Sequence, residues 1–142
     1  MKTMTVEELT REFDDCSDKE ERLTLILELG DELDPLGDEH KIEINRVRGC
    51  TSNVWMIPEV VEAGPGKLRF RADSDSQIVR GLIAILLALV NDRTPEEIAA
   101  LDLEGVFNRL ELARYISRSR SNGLSSMVQR VRDIANHCKS AS

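Results

Sequence analysis

At 142 residues the chain has room for one domain with a real core and too little for two. Its 41% hydrophobic and 32% charged content argues against a disordered chain, and its longest apolar run, the nine residues 82–90, is about half of what a helix needs to cross a bilayer. The formal net charge of -7 argues against DNA or RNA as partner, because binding a polyanion relies on neutralising phosphates.

Thr5 with Glu8, and Ser17 with Glu20, have the spacing of reciprocal helix caps, so two helices are expected to open the chain. In the second, Leu23, Ile26, Leu27 and Leu33 recur at helical intervals as one apolar face, and Asp34, Pro35 and Gly37 end it. The period then changes to two. Ile42 and Ile44 alternate with polar residues, 54–61 is rich in β-branched residues, and Leu68, Phe70 and Ala72 alternate with Lys67, Arg69 and Arg71. Three antiparallel strands are expected, with a turn at 63–66 and Pro58 at a bulge or sheet edge, since proline cannot donate to a ladder.

Helices are expected to return. Ser74 and Gln77 suggest the cap of a segment through Ile78, Val79, Leu82, Ile83, Leu86 and Val90, apolar on nearly all sides and so the centre of the core. Thr94-Pro95-Glu96-Glu97 combines a cap, a proline at the first helical position and a glutamate at the third. Leu124, Met127, Val128, Val131, Ile134, Ala135 and Cys138 mark one stripe of a final helix starting near Ser121. The expectation is a single α+β domain over 1–142, a small three-stranded antiparallel sheet packed against helices.

Charge is uneven. Residues 1–45 hold fifteen acids and five bases, whereas 46–71 hold five bases and two acids, which suits a protein partner better than a polyanion. The acidic stretch 7–15 lacks the basic start and apolar centre of a secretory signal, so a cytoplasmic chain is expected, with no membrane partner. Cys16, Cys50 and Cys138 are widely and irregularly spaced, which implies no disulfide framework, and no CxxC or HExxH marks a metal site.

The segment Arg46-Val47-Arg48-Gly49-Cys50-Thr51-Ser52-Asn53-Val54-Trp55 carries the most chemistry. A glycine directly before the cysteine relaxes the backbone and leaves room for another molecule to approach the sulfur. Arg46, Arg48, Thr51 and Ser52 supply the charge and donors that raise a thiolate fraction. A thiol hydrolase needs a base within hydrogen-bond reach, and the candidates, His40 and His137, lie in no motif. Sulfur transfer asks for less, because a thiolate attacks a sulfur already bonded to sulfur without a dedicated base.

Residues 48–55 resemble the GCxSxVW signature of the SufE family of sulfur acceptors, shared by CsdE-like proteins. Asp73-Ser74-Asp75, leading through Arg80-Gly81, looks like that family's second signature, and Ser119-Arg120-Ser121-Asn122-Gly123 like its third. The resemblance implies an IscU-like fold and, for Cys50, the role of sulfur acceptor. It implies that the chain takes persulfide sulfur from a cysteine desulfurase of the SufS or CsdA type, stimulates that enzyme and delivers the sulfur towards a SufB-like iron–sulfur assembly scaffold. On this reading the chain is an accessory carrier with no cofactor or metal of its own. Arg48, Gly49, Thr51, Ser52, Asp73, Asp75 and Arg120 are the candidates for partner contact, with Asp73 and Asp75 also suited to capping a helix. Trp55 is expected in the core and Gly81 at a close approach of helix and sheet. A persulfide is easily lost, so Cys50 is expected to retract against apolar residues until a partner draws its loop out. The rival readings are a thiol hydrolase and a metal or iron–sulfur scaffold.

Overall fold

A computed structural model describes residues 4–50, 52–60, 66–114 and 116–141, with backbone alone for 60 and 138–141. Helix α1 spans Val6–Asp14 and α2 spans Lys19–Asp31. Thr5 caps α1, its hydroxyl accepting the Glu8 N–H at 3.1 Å. The second cap falls one residue later than the spacing suggests. Asp18 accepts the Glu21 N–H at 2.9 Å, and the Glu21 carboxylate reaches back to the Ser17 N–H and hydroxyl, both at 2.8 Å. The stronger acceptor takes the cap and the hydroxyl serves the returning glutamate. Ile26, Leu29 and Gly30 form the buried face of α2, while Leu23, expected beside Ile26, is exposed.

Among the described residues the sheet has two strands, β1 (Val54–Val60) and β2 (Leu68–Ser74), paired antiparallel with Pro58 opposite Phe70. The strand expected around Ile42 and Ile44 is absent. That stretch forms 3-10 turns at Asp38–His40 and Glu43–Asn45, with the Asn45 N–H bonded to the Ile42 carbonyl and the Arg46 N–H to the Glu43 carbonyl. Asn45 also donates its side-chain amide to the His40 carbonyl at 2.9 Å, a local bond that competes with a ladder. All that remains of the pairing is one bridge, Arg46 with Trp55, and the Val47 N–H on the Val54 carbonyl at 2.8 Å.

On the other side, β2 is finished by residues 91–93. Asn91 accepts the Phe70 N–H at 2.7 Å and donates to the Phe70 carbonyl at 3.3 Å, so one side-chain amide serves both outward groups of a strand residue. The Asp92 N–H bonds the Leu68 carbonyl and the Leu68 N–H bonds the Arg93 carbonyl. Phe70 therefore turns its backbone away from β1. Its partner Pro58 lies at a non-hydrogen-bonded pair, where its missing donor faces out of the sheet.

Helix α3 (Gln77–Val90) crosses under the face formed by Val54, Met56, Leu68, Phe70 and Ala72 and is buried along almost its whole length. Its cap is Ser76, whose hydroxyl accepts the Val79 N–H, and not Ser74. α3 also packs against α2. A Cβ on Gly81 would strike the Ile26 carbonyl oxygen, and one on Gly30 would lie 2.7 Å from the Gly81 nitrogen. The close approach expected at Gly81 is thus between two helices and not between helix and sheet.

Helix α4 (Pro95–Ala100) carries the expected capping box of Thr94 and Glu97. Helix α5 (Leu103–Arg109), capped by Asp102, has no counterpart in the sequence reading. The last helix, α6 (Arg118–Ala141), starts earlier than Ser121, and Ser117 accepts the Arg120 N–H at 3.3 Å. Of the expected stripe, Leu124, Met127, Val128, Val131 and Ala135 are buried and Ile134 is partly buried, while the Cys138 side chain lies outside the described residues. Among the described residues no helix is long and apolar enough to cross a membrane.

Candidate functional site

The loop between the Arg46 bridge and β1 is fastened at its far end. Asn53 donates its N–H and its side-chain amide to the two oxygens of Asp75, at 3.2 and 2.8 Å. Ser74 Oγ donates to the Asn53 carbonyl at 2.7 Å and accepts the Ser76 N–H at 3.2 Å. The Asp-Ser-Asp tripeptide is thus a clamp, tying the end of β2 both to the loop and to the start of α3.

Its first carboxylate does something else. Asp73 is buried and accepts from the Leu36 N–H at 3.1 Å and the Ser74 N–H at 2.8 Å. The Lys41 ammonium lies 3.7 Å and Arg80 Nε 3.3 Å away. Neither Asp73 nor Asp75 caps α3, which corrects the expectation from sequence. A buried carboxylate needs several donors and a counter-charge, and Asp73 has both. Lys41 also stands over the Trp55 ring, 5.5 Å from its centroid, so Trp55 is a half-buried surface platform and not part of the core.

Between these anchors the loop bends back onto α6. Gly49 adopts φ 90°, and a Cβ there would lie 2.5 Å from the Ser126 hydroxyl, so glycine is required twice over. Cys50 is consequently half-buried and turned inward, not outward as a hairpin tip would be. Its thiol points at the Gly123 carbonyl, 3.6 Å away, in a small pocket lined also by Ser52, Val79, Ser119, Arg120 and Met127. The remaining free space is about 10 Å³, roughly one water molecule. A Cβ on Gly123 would lie 3.2 Å from the sulfur, so this glycine makes the socket. Among the described residues the pocket lining holds no imidazole and no carboxylate.

Burial pushes the Cys50 thiol up from its ordinary pKa, with the Arg46 guanidinium pulling partly the other way. Arg48 is fully at the surface, 3.2 Å from Glu43. Arg120 lines the socket beside Ser119 and Gly123. Thr51 lies outside the described residues. Sequence reasoning missed Gly123, Ser126 and Met127 as parts of the site. The signal was there for Gly123, since glycine inside a helix costs about 1 kcal/mol relative to alanine and calls for a reason.

Comparison with known proteins gives this arrangement a family. A family model named SufE, described as an Fe-S metabolism associated domain, matches residues 7–135. The chain belongs to the SufE family. It is 38% identical over 133 residues to an uncharacterised SufE-like protein of Rhizobium etli, covering 92% of this chain and 89% of that one. It also superposes on the solution structure of a hypothetical protein from Thermus thermophilus with a TM-score of 0.78 over 99% of both chains. At 18% identity that likeness shows the shared fold alone. Membership of the SufE family associates the chain with iron–sulfur metabolism.

In this SufE-family protein the raised thiol pKa carries a pH dependence. A proton held more tightly by the buried thiol than by an exposed one means that the stability this burial contributes is fully present below the ordinary thiol pKa. It is lost as pH rises through the raised value. Alkylation of the Cys50 peptide by iodoacetamide, followed by mass from neutral to alkaline pH, is expected to show a midpoint above that of the same peptide in denaturant. A midpoint at or below the denatured one would contradict this account.

Proposed function

We propose that the chain is a sulfur acceptor and carrier. Cys50 takes the terminal sulfur of a cysteine desulfurase persulfide, stimulates that enzyme by clearing it, and passes the sulfur on for iron–sulfur cluster assembly. The observation that carries this reading is the socket: a single loop cysteine, half-buried against Val79, Gly123 and Met127. Its lining has the apolar walls a persulfide needs and, among the described residues, no group that could act as a hydrolytic base. Among the described residues no three His, Cys, Asp or Glu side chains are grouped to hold a metal, which favours carrier over scaffold.

The transfer balances without an external oxidant. Once the loop swings out, the thiol returns to its ordinary pKa and loses its proton to water. The Cys50 thiolate then attacks the outer sulfur of the donor persulfide. The new bond joins Cys50 Sγ to that sulfur, the donor's own sulfur–sulfur bond breaks, and the donor leaves as thiolate. Retraction brings the persulfide back beside Gly123, away from bulk water and stray thiols. Asp75, by holding Asn53, fixes one end of the moving segment.

The test mixes the purified chain with a cysteine desulfurase and L-cysteine and measures intact mass under non-reducing conditions. The wild type is expected to gain one sulfur atom and Cys50→Ser none. Equal gain in Cys50→Ser, or no gain in the wild type, would remove the reading.

A further inference from the structure

Ile44 is 76% and Ile42 49% exposed, yet the segment that carries them is firmly held. Arg130 of α6 donates to the Ile44 carbonyl at 3.0 Å. The Asn45 N–H bonds the Ile42 carbonyl at 3.0 Å, and the Arg46 N–H bonds the Glu43 carbonyl at 3.1 Å. Scattered exposed aliphatics are ordinary on any surface. One displayed on a fixed backbone has already lost much of the freedom that binding would otherwise remove, which is how an interface anchor is prepared.

The position of this step ties it to the reactive loop. Ile44, Arg46 and Arg48 form one wall, and Ser126 and Arg130 the other, of an open groove of about 380 Å³. Gly49 rests on the same Ser126, so the groove ends at the foot of the Cys50 loop. Arg46, Arg48 and Arg130 border the groove and Arg120 the thiol socket. Glu43 lies 3.9 and 3.2 Å from Arg46 and Arg48, and Asp133 accepts from Gln129, so the balance of the region is positive in a chain of net charge -7. Any protein that brings a sulfur into bonding contact with Cys50 must cover the ground around the loop.

We propose that Ile42 and Ile44, with Arg46, Arg48 and Arg130 beside them, form the docking surface for the sulfur donor, whose matching face is an apolar hollow rimmed by carboxylates next to its persulfide. This rests on the sulfur-acceptor reading. The apolar step supplies affinity and the arginines orient and accelerate the encounter, an effect that salt screens.

The experiment measures the initial rate of sulfur uptake by the chain, by mass, against increasing concentration of a persulfide-loaded cysteine desulfurase. Ile44→Glu is expected to raise the half-saturating concentration by roughly tenfold or more, the loss typical of an anchor residue. Its Cys50 alkylation rate by iodoacetamide is expected to stay at the wild-type value. Added salt is expected to raise the half-saturating concentration of the wild type and to do so less for Arg48→Glu. An unchanged half-saturation in Ile44→Glu, or a change matched by an equal change in alkylation, would overturn the proposal. So would a shift of Ile44→Glu from dimer to monomer in sedimentation with transfer unaltered, since the surface would then serve a second copy of the chain. A wild type that takes up no sulfur at any donor concentration would instead strike the acceptor reading itself.

Discussion

Gly123→Leu is expected to speed alkylation of Cys50 at neutral pH by on the order of tenfold, while its persulfide, once formed, is lost faster to small thiols than that of the wild type. The Cβ alone would lie 3.2 Å from the Cys50 sulfur, and the rest of a leucine has to occupy the free space of about 10 Å³ beside it. Both cannot fit, so the thiol is displaced. Burying a side chain of this size contributes roughly 1–2 kcal/mol, and each ~1.4 kcal/mol of docking removed multiplies the exposed fraction about tenfold. The melting temperature separates this from general loosening. Replacing a glycine inside α6 by leucine favours the helix by up to about 1 kcal/mol, so stability is expected to hold or rise while the thiol becomes more reactive. Faster alkylation together with a lower melting temperature would point to disruption of α6 and count against the socket.

Gly81→Ala is expected to cost about 2–4 kcal/mol and to lower the melting temperature by roughly 5–15 °C, although alanine is the better helix former by about 1 kcal/mol. The added methyl has nowhere to go, because the atom it meets is the Ile26 backbone carbonyl of α2 and not the flexible end of a side chain. Separating the helices would also open Gly30 from the Gly81 nitrogen and loosen the most buried helix of the domain. Gly30→Ala presses on the same crossing from the other side, and the two substitutions together are expected to cost less than the sum of their separate effects. Thermal unfolding of the three variants measures this. A loss below 1 kcal/mol for Gly81→Ala would show that the crossing adjusts easily.

Much of this was legible in the residues. Thr5, Thr94 and the α6 stripe signal their structures through local hydrogen bonds and periodicity, which need no knowledge of the rest of the chain. The sheet was harder. Ile42 and Ile44 alternate as a strand does, but alternation cannot distinguish a residue facing the core from one facing solvent beside a turn, and here the turn bonds at Asn45 and Arg46 prevail. Asn91, which takes the place of a neighbouring strand for Phe70, reads in sequence as an ordinary helix end. Cys50 was identified from its loop and motif, yet its inward direction depends on Gly49 meeting Ser126 and on the gap at Gly123, contacts across more than seventy residues. Asp73 and Asp75 share a tripeptide and looked alike. One faces Arg80 and Lys41 within the fold, the other the loop, because Asp73 is still inside β2 and Asp75 lies past its end.

The sealing of the small sheet has one more consequence. A two-stranded ribbon by itself is marginal in water and exposes bare amides on each flank, an invitation for another chain to add on and start a fibre. Here the far flank of β2 is already occupied by Asn91, Asp92 and Arg93, and the near flank of β1 carries Pro58 at a position that has no proton to offer. A newcomer strand therefore finds its hydrogen-bonding grid interrupted on either side, and such a protein can be kept concentrated in a cell without polymerising through its ribbon.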